Sequence, residues 1–149
     1  MRTRRSTWLV VLVVSALAAG APPSVASASG GAHFRIYDPT GQTKVVVTLA
    51  DVVRSSVRAE REPGGKGTLA LLLTRRGGDR FHRLTLALAK RGARLHRSQR
   101  IAMEIDGWIS MPQIDYQAEP QGLDGRAPIS IPGLQFSLAQ RLAREIRQG

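Results

Sequence analysis

The residues of this chain that could do chemistry are few, and neither their types nor their spacing favours a catalytic centre. The 149 residues include no cysteine and three histidines. His82 and His96 lie among arginines, which would repel a metal cation, and His33 lies near the start of the predicted mature chain. No serine occurs in a Gly-x-Ser-x-Gly elbow, the arrangement that exposes the nucleophile of many hydrolases.

Glu104 and Asp106 stand two residues apart on one predicted strand and therefore share a face. Two carboxylates in a hairpin are more typical of turn chemistry than of a general acid and base. The sequence therefore predicts a protein that is not an enzyme and that has no metal ion and no cofactor.

The charge of the chain is strongly positive and unevenly distributed. Lys and Arg together number 22 against 11 Asp and Glu, a formal net charge of +11 at pH 7. Segment 75–100 has Asp79 as its sole acid, whereas 101–125 has five acids and no base. Such a field attracts lipid head groups, cell-wall polyanions or acidic polypeptide segments, although a solvated helix face would have the same composition. The candidate anion-binding residues are Arg75, Arg76, Arg80, Arg83, Arg91, Arg94, Arg97 and Arg100.

The first 28 residues have the layout of a secretory signal peptide. Arginines at the start are followed by an apolar run over 8–21 and by the small residues Ala26-Ser27-Ala28. The run is shorter than the roughly 20 residues of a membrane-spanning helix, so we expect cleavage near Ala28 rather than a retained anchor. The mature protein is predicted to be secreted or extracytoplasmic, in the cell envelope, with no transmembrane span.

The elements that would position any site begin with strands. The mature segment is long enough for one domain. A leader and hairpin are predicted at 29–47, because Asp38-Pro-Thr-Gly41 fits a type I turn between two apolar runs. Further strands are predicted at 55–62 and 68–73.

A helix follows these strands. Thr74 is placed to cap its start. Phe81, Leu84 and Leu88 recur at three- and four-residue steps and form one apolar face. Gly92 is predicted to end the helix.

The segment Ile101–Ile114 consists of two apolar runs joined by Asp106-Gly107. This dipeptide tolerates the positive φ angles of a two-residue turn, so the segment is predicted to be a β-hairpin. Pro112 marks its second strand as an edge strand or as the end of that strand. An exposed acidic loop is predicted at 115–126.

The last predicted elements are a strand at 127–131, ended by Pro132-Gly133, and a helix that Ser137 opens with Gln140 as its capping-box partner. The order of strands and helices predicts an α+β two-layer sandwich, with an antiparallel or mixed sheet and both helices on one face.

Four short blocks occur in order along residues 48–149. They are Thr74, Gly77 and Phe81; Ala102, Ile105, Asp106, Gly107, Ile109, Ser110 and Pro112; Ala127, Ile129, Ser130 and Gly133; and Ala139, Leu142, Ala143, Ile146, Arg147 and Gly149. In residue type and spacing they resemble the head subdomain of the first periplasmic (extracytoplasmic) domain of SecD, the SecDF accessory subunit of the Sec protein-export channel. The resemblance implies structural roles for Thr74, Gly77, Phe81, Asp106, Gly107, Pro112, Gly133 and Gly149.

The chain also departs from SecD. SecD carries its head on a base subdomain attached to membrane helices, and we expect this protein to be a stand-alone secreted domain without either. It has Ser137 and Leu138 near the place where the family usually has paired glutamates. The resemblance therefore does not extend to proton-driven translocation, and what it implies is contact with unfolded polypeptide.

The leading hypothesis is a non-enzymatic exported module that contacts unfolded or extended polypeptide at the outer face of the membrane. Trp108, Met111 and Ile114 are the candidate polypeptide contacts, since large apolar groups in an edge hairpin can dock an extended peptide by strand addition, although core packing is the alternative role. The expected partners are exported or unfolded polypeptides, the Sec machinery or another envelope protein, with no specific nucleic acid. The alternative function is a basic surface-binding protein for anionic envelope polymers or lipid head groups.

Overall fold

The computed structural model describes residues 33–148, so the predicted signal peptide, residues 29–32 of the predicted leader and hairpin, and Gly149 lie outside the described residues. The described part contains strands β1 (Phe34–Tyr37), β2 (Val47–Thr48), β3 (Arg58–Arg61), β4 (Lys66–Leu71), β5 (Gln99–Arg100), β6 (Ala102–Ile105), β7 (Trp108–Ser110), β8 (Gln113–Ile114) and β9 (Ile129–Gln135), and helices α1 (Arg75–Leu95) and α2 (Phe136–Gln148). Short 3₁₀ turns lie at Leu49–Asp51, Arg54–Ser56 and Pro63–Gly65.

Among residues 33–148 the paired strands are antiparallel and form three sheets, in the orders β2-β1-β6-β7, β3-β4-β9 and β5-β8. Helix α1 packs against β2, β5 and β8, and helix α2 packs against β3, β4 and β9. The predicted α+β class is confirmed, with the strands divided among three sheets. Pro112 contributes to this division because it has no N–H with which to continue the pairing from β7 into β8. Its carbonyl oxygen instead accepts a hydrogen bond from the Ile101 N–H at 3.0 Å.

Both predicted hairpins are present. In the second, Asp106 and Gly107 have φ angles of 45° and 81°, as a two-residue turn between twisted strands requires. The turn aligns Ile105 with Trp108 and makes β7 an edge strand of its sheet, as Pro112 predicted. The hairpin is therefore specified by local turn chemistry.

Helix α1 begins as predicted but ends later. The Thr74 side chain caps it by accepting a hydrogen bond from the Gly77 N–H at 3.1 Å. The helix continues past Gly92 to Leu95, and His96 closes it in the left-handed conformation at φ 50°. The prediction that Gly92 ends the helix was wrong. A Cβ at Gly92 would lie 2.9 Å from the carbonyl oxygen of Arg97, so its small size lets the chain fold back over the last turn.

The final strand is also longer than predicted, because β9 passes through Pro132 and Gly133. Proline is tolerated there since β9 is an edge strand and lies opposite the register irregularity between Gly67 and Leu69 of β4. Helix α2 begins at Phe136, so Ser137 lies inside its first turn instead of capping it.

The sheets and helices share one hydrophobic cluster. The surface elements β7, β3 and α2 each contribute side chains that belong to this cluster or pack against it. Its largest fully buried side chains come from both helices and from most strands: Ile36, Leu69, Leu71, Leu84, Leu88, Ile101, Met103, Ile105, Ile114, Ile131, Leu134 and Leu142. None of the helices in the described part of the chain is long and apolar enough to cross a bilayer.

Candidate functional site

The hairpin that was predicted to contact polypeptide exposes a different set of residues from the predicted one. Ile114 is 1 % exposed and belongs to the core, so it is not available to a partner. Trp108 is half-buried and packs against the core. Met111 is 43 % exposed, as a contact residue should be, and Ile109 is 50 % exposed beside it.

Ile109 was missing from the predicted contacts, although alternation along the strand places Ile109 and Met111 on the face opposite Trp108 and Ser110. Ser110 is buried, which identifies the other face as the solvent-facing one. We call β7 with Ile109 and Met111 the hairpin edge. Within residues 33–148, β7 is hydrogen-bonded to β6 alone, so its other edge presents backbone N–H and C=O groups to which an extended chain could add.

The predicted anion-binding arginines divide into two groups. Arg80 and Arg91 have carboxylate partners within the protein, and their charges are used there. The spacing of residues in the sequence could have shown that Arg91 is buried. It lies three residues after Leu88 and seven after Leu84, and therefore on the buried side of α1. The six that remain exposed are Arg75, Arg76, Arg83, Arg94, Arg97 and Arg100.

Arg91 forms a buried, fully hydrogen-bonded ion pair with Asp38. Its two terminal nitrogens donate to the Asp38 carboxylate at 2.7 and 3.1 Å, and its Nε donates to Gln99 at 2.7 Å. Thr40 donates to the same carboxylate from its N–H and its hydroxyl, and the Thr43 N–H donates at 3.0 Å. The network joins the β1–β2 turn to α1 and β5. The charge of Arg91 is used within the protein, so Arg91 is not available to bind an external anion as the sequence had suggested.

Burial by itself would raise the pKa of Asp38, but the hydrogen bonds from Arg91, from the Thr40 side chain and from the Thr40 and Thr43 backbones outweigh it. The pKa of Asp38 is therefore held well below its ordinary value. The charged form of this carboxylate is the stable one in the folded protein.

We expect the stabilisation from Asp38 to be lost in acid. Because its folded-state pKa lies below the unfolded value of about 3.9, its contribution is fully present above that value and declines as the pH falls below about 4. Urea unfolding of the wild-type chain and of Asp38→Asn should give a difference of about 3 kcal/mol at neutral pH. The difference in the free energy of unfolding should become smaller in acid. A difference that stays constant down to about pH 3 would contradict a lowered pKa for Asp38.

Arg80 is similarly engaged with Asp51, which is 3 % exposed. Its Nη1 donates to both carboxylate oxygens, at 3.0 and 2.9 Å, and the same carboxylate accepts the Thr48 N–H at 3.0 Å. Arg80 thus connects α1 to the turn that follows β2. Like Arg91, it is not available to bind an external anion.

The exposed side of α1 carries a regular row of positive charge. Arg76, Arg83 and Lys90 are seven residues apart, and Arg94 follows one turn after Lys90, so all four lie on one face. We call these four residues the α1 basic face. Their arrangement fits contact with an extended anionic surface.

The carboxylates and histidines that were weighed for catalysis have structural contacts. Glu104 accepts a hydrogen bond from Arg35 at 2.7 Å, and Asp106 accepts the His33 N–H at 2.6 Å. His82 contacts the Leu123 carbonyl oxygen at 3.1 Å. Within residues 33–148 there is no group of three or more His, Cys, Asp and Glu side chains that could hold a metal ion.

The tip of the hairpin also meets α2. Burial raises the pKa of Glu145, and the nearby Asp106 raises it further by hydrogen bonding and by charge repulsion. Arg141 lies 3.7 Å from Glu145 and opposes this effect. Asp106 at the hairpin tip therefore lies near Glu145 of α2, and their charges oppose this approach when both carboxylates are ionised.

The residues that the SecD resemblance marked as structural occupy turns, caps and close contacts. Thr74 caps α1, Gly77 lies against Asp51, and Phe81 is in the core. Asp106 and Gly107 form the hairpin turn, the Pro112 carbonyl pairs with Ile101, and Gly133 has a φ angle of 81° within β9. Gly149 lies outside the described residues.

Together these features define an α+β domain with an exposed strand edge and a basic helix face. No protein-family model matches the chain, and no curated protein does so. Two solved structures share its fold. One is of SecDF, described as a membrane component that enhances protein export, with a TM-score of 0.53 and 18 % identity over 79 % of this chain and 62 % of that one. The other is SecDF in a super-membrane-facing form, with a TM-score of 0.53 and 19 % identity over 79 % of this chain and 18 % of that one.

The chain therefore has a SecDF-like fold, as the sequence blocks predicted. It spans about three fifths of the first of these SecDF chains and about a fifth of the second. At such low identity the similarity concerns the fold alone.

Proposed function

We propose that this chain is an exported, non-enzymatic binding module, equivalent to the head subdomain of the first extracytoplasmic domain of SecD. It contacts unfolded or extended polypeptide at the outer face of the membrane and drives no translocation of its own. Its partners are exported polypeptides in transit, the Sec machinery or another envelope protein. The fold it shares with a component that enhances protein export supports this role.

The observation that carries the proposal is the hairpin edge. Two large apolar side chains stand in solvent, Ile109 on the edge strand β7 and Met111 directly after it, whereas Trp108 and Ser110 on the opposite face pack toward the core. An extended polypeptide can pair with the strand through its backbone, while these side chains contact alternate residues of the partner. Backbone pairing is indifferent to sequence, which suits a protein that meets many unfolded chains.

Replacing Ile109 and Met111 with threonine should weaken binding of an unfolded polypeptide about tenfold or more. Threonine keeps the strand preference of the edge while removing most of the apolar surface. The probe is reduced and carboxymethylated α-lactalbumin, with affinity measured by fluorescence anisotropy at about 0.05 and about 0.5 M salt. Leu95→Gln is the matched control, since Leu95 is 48 % exposed but lies at the end of α1.

The two variants should separate clearly. Binding that survives high salt and is lost in the threonine variant, but not in Leu95→Gln, supports the hairpin edge. Equal loss in both would indicate non-specific contact with exposed apolar groups. Trp108→Ala is a poorer test because Trp108 also packs against the core.

The α1 basic face supports a second candidate function, contact with an anionic envelope polymer or lipid surface. Four aligned positive charges would bind vesicles containing phosphatidylglycerol at low salt and release them steeply as salt screens the attraction. Loss of vesicle binding in a variant with Arg76→Gln, Arg83→Gln and Arg94→Gln, together with no polypeptide binding at high salt, would favour this function over the first.

A further inference from the structure

A groove of about 330 Å³ lies between β3 and α2, on elements that neither the hairpin edge nor the α1 basic face includes. The positions on α2 are spaced by three and four residues, so they form one row along the helix. Gln140 and Arg147, at the ends of that row, are about 10 Å apart along the helix axis. The groove is lined by Arg58, Ala59, Gln140, Ala143, Arg144 and Arg147.

The groove is strongly positive and has no acidic side chain in its lining. Arg147 is oriented by a hydrogen bond from its Nε to the Ala143 carbonyl oxygen at 3.1 Å, which leaves its terminal nitrogens to other partners. The Nε of Arg58 donates to Glu60 at 2.7 Å on the exposed surface. Arg144 makes no hydrogen bond or ion pair with any side chain in residues 33–148. Since guanidinium groups do not lose their protons, the adjacent positive charges of Arg144 and Arg147 favour an anionic ligand.

One wall of the groove is a strand with an open edge. In the described part of the chain, β3 is hydrogen-bonded to β4 alone and forms the edge of the sheet β3-β4-β9. The floor beside it is made of the short side chains of Ala59 and Ala143, which pack with the core and leave the edge of β3 open beside the arginines of α2. Strand addition into a groove between an edge strand and a helix is an established way for domains to bind peptides.

We propose that the groove between β3 and α2 binds an acidic polypeptide segment in an extended conformation, which adds to the sheet along β3. The length of the groove corresponds to about three residues of a strand. Alternate side chains of the added strand point toward α2, where carboxylates meet Arg144 and Arg147. The open edge of β3 beside these arginines offers backbone pairing as well as charge, which suits an extended chain better than a single compact anion.

The probe for this site is a ten-residue fluorescein-labelled peptide of alternating glutamate and valine, titrated with the purified chain and followed by anisotropy. Arg144→Gln combined with Arg147→Gln should weaken its binding about tenfold or more, because hydrogen bonds to charged groups are lost. Arg83→Gln combined with Arg94→Gln removes the same charge from α1 and should change the affinity less than about threefold. An extended peptide can also pair with the hairpin edge, so the titrations are repeated in the Ile109→Thr, Met111→Thr background, where the α2 variant should still lose about tenfold. In this way the groove and the hairpin edge can fail separately.

Two further measurements test the mode of binding. The same peptide, N-methylated at every second residue on the edge that faces β3, should bind at least about tenfold more weakly if its backbone pairs with the strand. The backbone amides of Ala59 and Arg61 should shift in nuclear magnetic resonance spectra when the unmodified peptide binds. Equal binding of the methylated peptide, or equal losses in the α1 and α2 variants, would overturn the proposal. So would α2-dependent binding of inorganic phosphate or phosphatidylglycerol vesicles without binding of the peptide.

Discussion

Replacing Arg91 with leucine should lower the free energy of unfolding by about 3–5 kcal/mol, a large share of the roughly 5–15 kcal/mol that stabilises an ordinary domain. The substitution leaves the Asp38 carboxylate without its main partner. The Asp38 side chain has no exposed surface and that of Arg91 is 6 % exposed, so water cannot replace the lost hydrogen bonds. The loss comes from an uncompensated buried charge more than from the attraction of the pair itself.

The double variant Asp38→Leu with Arg91→Leu separates these two contributions. A buried ion pair replaced by apolar side chains is often close to neutral in stability. Here the Thr40 and Thr43 N–H groups also lose their acceptor, so the double variant should recover part, but not all, of what Arg91→Leu loses. The free energy of unfolding of the wild type, of Arg91→Leu and of the double variant is measured by urea unfolding followed by circular dichroism. Arg94→Leu is the matched control, because Arg94 is exposed on the same helix and should change stability by less than about 0.5 kcal/mol. A small effect of Arg91→Leu would mean that the pair is not buried in solution.

Features set by neighbouring residues could be predicted from the sequence. Asp106-Gly107 dictates its turn through allowed φ angles, and Thr74 caps α1 through an oxygen that reaches a backbone N–H three residues away. These interactions need no knowledge of the tertiary structure. The role of Gly92 was not predictable in this way. Its small size is required by the contact with Arg97, and that contact forms only after the chain folds back over the helix end.

Features that depend on distant residues could not be predicted in the same way. Asp38 and Arg91 are 53 residues apart, and a count of charges treats both as surface groups. The hairpin illustrates a partial success, because alternation separates its two faces but packing decides which one is buried. The β3–α2 groove depends on two elements more than 70 residues apart, so its arginines have no common signal in the sequence.

The structure distributes positive charge according to burial. Arg80 and Arg91, beside the apolar stripe of α1, stabilise the fold by pairing with Asp51 and Asp38. Most arginines on the outer faces of α1 and α2 remain exposed to solvent. A net charge of +11 therefore overstates the charge available for binding on any one face, and each face needs its own charge-matched variant.

Replacing Gly77 with alanine should destabilise the protein by about 3 kcal/mol, the opposite of what helix propensity alone would give. In an exposed helix interior the same change would stabilise by about 1 kcal/mol. At Gly77 the new Cβ would lie 2.5 Å from the Asp51 carbonyl oxygen and 2.6 Å from the Asp51 Cβ, closer than such atoms can approach.

Asp51 cannot easily move away from an alanine at position 77, because each of its polar groups is held. Its carbonyl oxygen accepts the Thr74 N–H at 2.7 Å, and its carboxylate accepts Arg80 and the Thr48 N–H. Relief of the clash therefore requires either a shift of α1 or the loss of these hydrogen bonds. Gly64→Ala is the control for backbone strain, since Gly64 has a φ angle of 75° with no atom within 4 Å of an added Cβ, and should cost about 1 kcal/mol. The free energy of unfolding of both variants is measured with urea. A Gly77→Ala protein more stable than the wild type would mean that α1 and the Leu49–Asp51 turn do not approach this closely.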